Sequence, residues 1–235
     1  MGWNIWDSVF HDDMANMAQY DPLGSKEVQV QENVICLGSS ELRAGKKDPH
    51  IESFLRPKLA HRYRDVDVTV TLQILSTAKT DGMNEDGSCW FGIVTRAIQP
   101  EHWDSYLFYI RRDGRVEFAT RYHDMPVEIP PPVSVVSSQP VTIRIRVEGD
   151  HIQTWVNNRP YHDWRDQQHA FLRKGDVYLI SYGSHVRISA VEIKVKKWHA
   201  PVVRFVERFK VWITWIGIII GLFVSLGTLW LWLRR

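Results

Sequence analysis

Residues 211–233 contain no charged side chain over 23 positions, and few folds can absorb such a run. At 1.5 Å per residue, a helix of that length reaches about 35 Å, enough to cross a ~30 Å hydrocarbon core with modest tilt. Thirteen of the residues are Leu, Ile, Val or Phe, and together they favour insertion by about 4–8 kcal/mol. Trp212 and Trp215 stand at one end, Trp230 and Trp232 at the other. Those are the depths at which indole rings sit among headgroups. A buried core helix seldom runs this long with tryptophan at both ends. The pattern predicts one C-terminal transmembrane helix over 211–233, entered through a basic juxtamembrane helix over 198–210. Pro201 suits the start of that helix, because its missing N–H costs nothing there. Arg208 and Lys210, beside the first tryptophans, are expected at the membrane interface with them.

Charge around the run sets an orientation. Lys194, Lys196, Lys197, Arg204, Arg208 and Lys210 precede it, and only Arg234 and Arg235 follow. Six against two predicts a cytoplasmic N-terminal side, in the inner membrane of a bacterial-type cell. The first twenty residues carry Asp7, Asp12 and Asp13 and lack the basic start and apolar core of a secretory signal. The net charge of +2 comes largely from the juxtamembrane segment, where anionic lipid headgroups are the simplest partner. No basic stripe with interleaved aromatics points to nucleic acid. Cys36 and Cys89 each sit among apolar neighbours, the setting of buried free thiols rather than ligands.

Before the membrane segment the apolar period is mostly two. Val66, Val68, Val70, Leu72 and Ile74 alternate with polar residues, and Val141, Ile143, Ile145 and Val147 do the same. This describes strands with one buried and one wet face. Gly-containing and Asn-Asn turns separate many such short runs, which predicts an antiparallel sandwich over 27–197. In the last run the phase jumps from Val186, Ile188 and Ala190 to Val191, Ile193 and Val195. Keeping both sets on one face needs a β-bulge near Ala190. Residues 1–26 read differently. Trp3, Trp6, Phe10, Met14 and Met17 step by three and four, which predicts an amphipathic helical arm that docks on protein.

The stretch WFGIVTRAIQPEHWDSYLFYIRRDGRVEFAT resembles the central hairpins of concanavalin A-like sandwiches, laminin-G-like and 3-keto-disaccharide hydrolase (DUF1080-like) domains among them. VTIRIRVEGDHIQTWVNNRPYHDW and GDVYLISYGSHVRISAVEIKV resemble the closing strands of the same group. The resemblance implies a mainly β, jelly-roll fold. It also implies that Arg96 points toward the concave face, and that a carbohydrate-binding or glycoside-hydrolysing role is an alternative function.

The residues themselves show no catalytic constellation. Asp65 and Asp67 alternate on one strand like a glycosidase pair, but on its wet face, and Glu117 stands alone. The sequence DGMNEDG over 81–87 departs from a calcium loop at the third, sixth and twelfth positions. The ten histidines show neither HxH nor HExxH spacing. No catalytic residue, metal or cofactor is therefore expected. Gly217, Gly221 and Ser225 form a small-residue ridge in the apolar run, suited to a helix–helix contact. With Trp3, Trp6 and Phe10 of the arm, the ridge predicts contacts with integral membrane subunits. The function expected is a non-enzymatic accessory subunit of a larger membrane complex, respiratory or photosynthetic for example.

Overall fold

A computed structural model describes residues 6–13, 16–23, 28–31, 34–38, 52–77, 89–99, 105–120, 126–128, 139–167 and 173–196. The expected juxtamembrane and transmembrane helices, the Gly217, Gly221 and Ser225 ridge, Trp3 and the 81–87 loop lie outside the described residues. No helix among the described residues is long and apolar enough to cross a membrane.

Residues Trp6–Val195 form one compact unit. Its first strands are β1 (Trp6–Asp12), β2 (Tyr20–Asp21), β3 (Val28–Gln31), β4 (Val34–Leu37) and β5 (Glu52–Pro57). The middle of the chain supplies β6 (Val66–Thr77), β7 (Trp90–Ala97), β8 (Tyr106–Arg111), β9 (Val116–Thr120) and β10 (Pro126–Glu128). The last are β11 (Val141–Glu148), β12 (His151–Val156), β13 (Arg159–Arg165), β14 (Asp176–Tyr182) and β15 (Ser184–Lys196). One sheet runs β13-β12-β11-β6-β15-β4-β3, with β1 pairing β15 to make eight strands. The other, of seven, runs β10-β9-β8-β7-β14-β5-β2. Pairing is antiparallel in both.

The alternation read from the sequence explains the two layers. Val66 to Ile74 on β6 and Val141 to Val147 on β11 send their even-spaced apolar residues into one core. Phe91, Ile93, Phe108 and Phe118 meet them from the other sheet. Each such side chain contributes about 1.5–3 kcal/mol when fully removed from water. The expected bulge is present: Ile188 faces Leu72 while Ala190 faces Thr71, so Ser189 is the extra residue. Both Asn157 and Asn158 take positive φ, 48° and 65°, in the β12–β13 turn, where asparagine tolerates the left-handed region that glycine commonly fills.

Two expectations change. The N-terminal stripe is a strand over Trp6–Asp12, not a helix. Steps of three and four mark one face of a helix, but Phe10 turns into the core while Trp6 lies against Arg146 on the other side of the sheet. A partner strand, the long β15, decides the matter. Phe10 packs into the core, edge-on to Tyr20 at 5.3 Å, and Met17 follows on a short 3-10 turn. Arg96 does not point outward. It sits on a bulge where Asp176 pairs with Ala97 but Tyr178 pairs with Val94, and its φ of 60° accompanies a fully buried side chain.

Candidate functional site: the aromatic face of the seven-stranded sheet

The core uses one side of β7, β8, β9, β14 and β5. The opposite side carries a second, smaller apolar cluster, and register builds it row by row. Arg111, Trp90, Tyr182 and Glu52 lie side by side across four strands. The next row is Glu117, Tyr109, Gly92, Ile180 and Phe54. Ala119, Leu107, Val94 and Tyr178 make a third. The third row is buried, while Trp90, Tyr182, Phe54 and Arg111 keep part of their surface in solvent.

Trp90 is the centre of the exposed part. Its indole stacks on Tyr182 with centroids 5.5 Å apart and planes 18° apart, and leans on Tyr109 at 5.1 Å. Gly92 permits this: a Cβ there would lie 2.8 Å from Leu107 Cδ1 and 3.0 Å from Tyr109 Cβ. The two side chains therefore close over the glycine, and Tyr109 is held against Trp90.

Charge flanks the rings. The Tyr109 hydroxyl donates to Glu117 Oε2, and Arg111 Nη2 donates to the same oxygen at 2.9 Å. The Arg111 guanidinium also lies 5.6 Å from the Tyr109 ring centre. Burial and the bond to Glu117 both push the Tyr109 hydroxyl well above its ordinary pKa. Burial works against the charge on Arg111, but Glu117 and Tyr109 hold its pKa above the ordinary value. The phenol is thus a neutral donor and the guanidinium a fixed cation.

Hydrolysis would need a second carboxylate. Retaining glycosidases place the pair about 5–5.5 Å apart and inverting ones about 6.5–9.5 Å apart. Among the described side chains, Glu117 has Arg115 just before β9, Ala119 along it and Tyr109 across from it; on its other side runs β10, where Glu128 pairs with Phe118. Asp65 and Asp67, the other carboxylates weighed from sequence, are elsewhere and occupied. Asp65 accepts the backbone N–H of Gly149 at 2.9 Å, and Asp67 is buried under Arg144 and Arg146 on the other sheet. No group of three metal-ligating side chains occurs among the described residues. Cys36 and Cys89 are buried free thiols, and burial pushes the Cys36 thiol up.

The aromatic residues of β8 divide between the two faces. Tyr106 and Phe108 enter the core, and Tyr109 joins the outer face. The sequence reading missed Trp90, Tyr182 and Arg111 as one group. They are far apart in the chain, and only register joins them.

No protein-family model matches the chain, and no curated protein sequence matches it. Solved structures do. An endo-β-1,3(4)-glucanase of family GH16, SCLam, superposes with a TM-score of 0.57 at 10% identity, covering 82% of this chain and 92% of that one. The carbohydrate recognition domain of Emp46p gives 0.54 at 12%, with 82% and 98% covered. The carbohydrate-binding module CBM66 from Bacillus subtilis gives 0.50 at 14%, with 74% and 93% covered. The fold is therefore the antiparallel concanavalin A-like β-sandwich. At these identities the likeness is one of fold, and that fold carries many unrelated functions.

Proposed function

We propose that this chain is a carbohydrate-binding β-sandwich that holds sugar rings on the aromatic face around Trp90 without cleaving them. The observation that carries the reading is the stacked, partly exposed Trp90–Tyr182 pair beside the Arg111–Glu117 ion pair. Aromatic faces take the C–H side of a pyranose or furanose, and the fixed Arg111 guanidinium offers hydrogen bonds to its hydroxyls. The fold neighbours named above as carbohydrate-binding or glycan-degrading support this. Among the described side chains no second carboxylate stands beside Glu117, which favours binding over hydrolysis.

Screening the folded full chain against immobilised glycans, then titrating the hits calorimetrically, tests the reading. Trp90→Ala is expected to weaken binding about tenfold or more, since about 1.5–3 kcal/mol accompanies burial of one large apolar side chain. Trp90→Phe should recover part of the loss. A folded wild type that binds no glycan, or a Trp90→Ala variant that binds as well as wild type, sinks it.

The tether is a further part of the proposal. Residues 211–233 cross the bilayer once, and the six-to-two basic excess puts the sandwich on the cytoplasmic side. Its sugar would then be one present in the cytoplasm. Protease added to sealed, right-side-out cells is expected to spare the sandwich. Digestion there would reverse the topology and leave the sugar-binding reading standing. The accessory-subunit reading rests on the cytoplasmic topology, the lack of a catalytic constellation in the sequence, Trp3 of the N-terminal segment and the Gly217, Gly221 and Ser225 ridge, and its test is co-purification in mild detergent.

A further inference from the structure

The outer face of the eight-stranded sheet has a different character from the aromatic face. Its central strands β11, β6 and β15 carry Arg144, Arg146, Arg187, Lys194 and Lys196 on the side away from the core. Against these five cations stand Asp67, Glu148 and Glu192. The aromatic face has no such excess, with Arg56, Arg111 and Arg115 against Glu52, Glu117 and Asp176. The excess of cations is thus on the central strands of the eight-stranded sheet.

The basic side is also rigid. Arg144 donates to Asp67 at 2.7 and 2.5 Å, and Arg146 donates to it at 2.9 and 2.7 Å. Trp155 lies against both guanidiniums, 4.6 Å from Arg144 and 5.6 Å from Arg146, and Trp6 covers Arg146 at 5.1 Å. The two guanidiniums remain about a third exposed. They form a row with an indole on each side of Arg146, set beside the lysines of β15. Charge fixed in this way loses little conformational freedom when it meets an anionic surface.

We infer that this face docks on anionic lipid headgroups. The inference is separate from the sugar-binding reading, which uses the opposite sheet. Charge complementarity carries it, together with the chain that follows. Strand β15 brings Lys194 and Lys196 to the end of the described residues. Fifteen positions further on begins the uncharged run at Val211, with Lys197, Arg204, Arg208 and Lys210 between. Basic groups near a bilayer are drawn to phosphatidylserine or phosphatidylglycerol, and the attraction falls off within a Debye length.

Side-chain labelling of the full chain tests this. The protein is placed in bicelles of phosphatidylcholine alone or with phosphatidylglycerol, and the acylation rate of Lys194 and Lys196 is read by mass spectrometry. With the anionic lipid the rate is expected to fall threefold or more, and to recover in about 1 M salt, where the Debye length is ~3 Å. The Arg187→Glu/Arg146→Glu variant should lose the protection. Because Arg146 bonds Asp67, Arg187→Glu with Lys196→Glu is the second variant, and it leaves that ion pair whole. Equal rates in the two lipids overturn the inference. So does protection that appears only with RNA or heparin, since that would mark a polyanion site instead.

Discussion

Replacing Asp67 with alanine is expected to lower the stability of the sandwich by about 2–4 kcal/mol. The carboxylate is 2% exposed and receives four N–H bonds from Arg144 and Arg146. Burial alone would raise its pKa. The arginine hydrogen bonds and charges more than offset that, and the carboxyl titrates below the usual range. Removing it leaves two guanidiniums side by side with no counter-charge between them. They are partly exposed and can turn to water, so the loss stays below that of a fully enclosed pair. Urea denaturation of the wild type and variant measures the difference. The pH dependence has a definite sign. A carboxyl depressed on folding contributes its full stability above its unfolded pKa of about 3.9, and loses it as pH falls through the lower folded value. Wild-type stability should therefore drop steeply below about pH 4, and Asp67→Asn should flatten that slope. An unchanged slope would mean that other depressed carboxyls, Asp21, Asp113 and Asp163, account for the acid lability.

The same cluster shows what could be read without coordinates. Alternation along β6 and β11 gave the strands and their buried faces, because a period of two admits one register of inside and outside. The phase jump at Ala190 gave the bulge for the same reason. Asp67 was placed on the wet face, correctly by period, but burial there comes from partners 77 and 79 residues away. Period carries no information about such partners. Trp6 and Phe10 misled for a related reason: their spacing suggests one helical face, but the pairing of β1 with β15 makes a strand whose Phe10 enters the core and whose Trp6 meets Arg146. The candidate site was less legible still. Trp90, Tyr182 and Arg111 come from three strands, and their adjacency follows from register across β8, β7 and β14.

Arg96→Ala is expected to cost about 3–5 kcal/mol, among the largest effects of any single change in the sandwich. Its side chain has no exposed surface, and the bonds explain why it is buried. Nε donates to the Arg64 carbonyl at 2.7 Å and Nη2 to the Gly149 carbonyl at 2.6 Å. Asp65 lies 3.5 Å from Nη2, and the Tyr106 ring centre is 5.5 Å from the guanidinium carbon. One side chain thus ties β7 to the start of β6 and to the β11–β12 turn. Alanine would leave two carbonyls without that donor and a cavity between the sheets. Lysine should rescue little, because a single ammonium cannot reproduce a planar fork aimed at separate oxygens. The backbone adds a separable part. At a φ of 60° a side chain is strained and glycine is not, so Arg96→Gly should be more stable than Arg96→Ala by about 1 kcal/mol. Gly175 meets the same backbone from β14's approach: a Cβ there would lie 2.2 Å from the Arg96 carbonyl carbon. Gly175→Ala should therefore cost about 1–3 kcal/mol through overpacking, although every Arg96 hydrogen bond is chemically intact. Thermal melts of the four variants separate the contributions. If Arg96→Ala and Arg96→Lys melt with the wild type, the guanidinium is not the tie. If Arg96→Gly is no better than Arg96→Ala, the left-handed backbone at the bulge carries no strain.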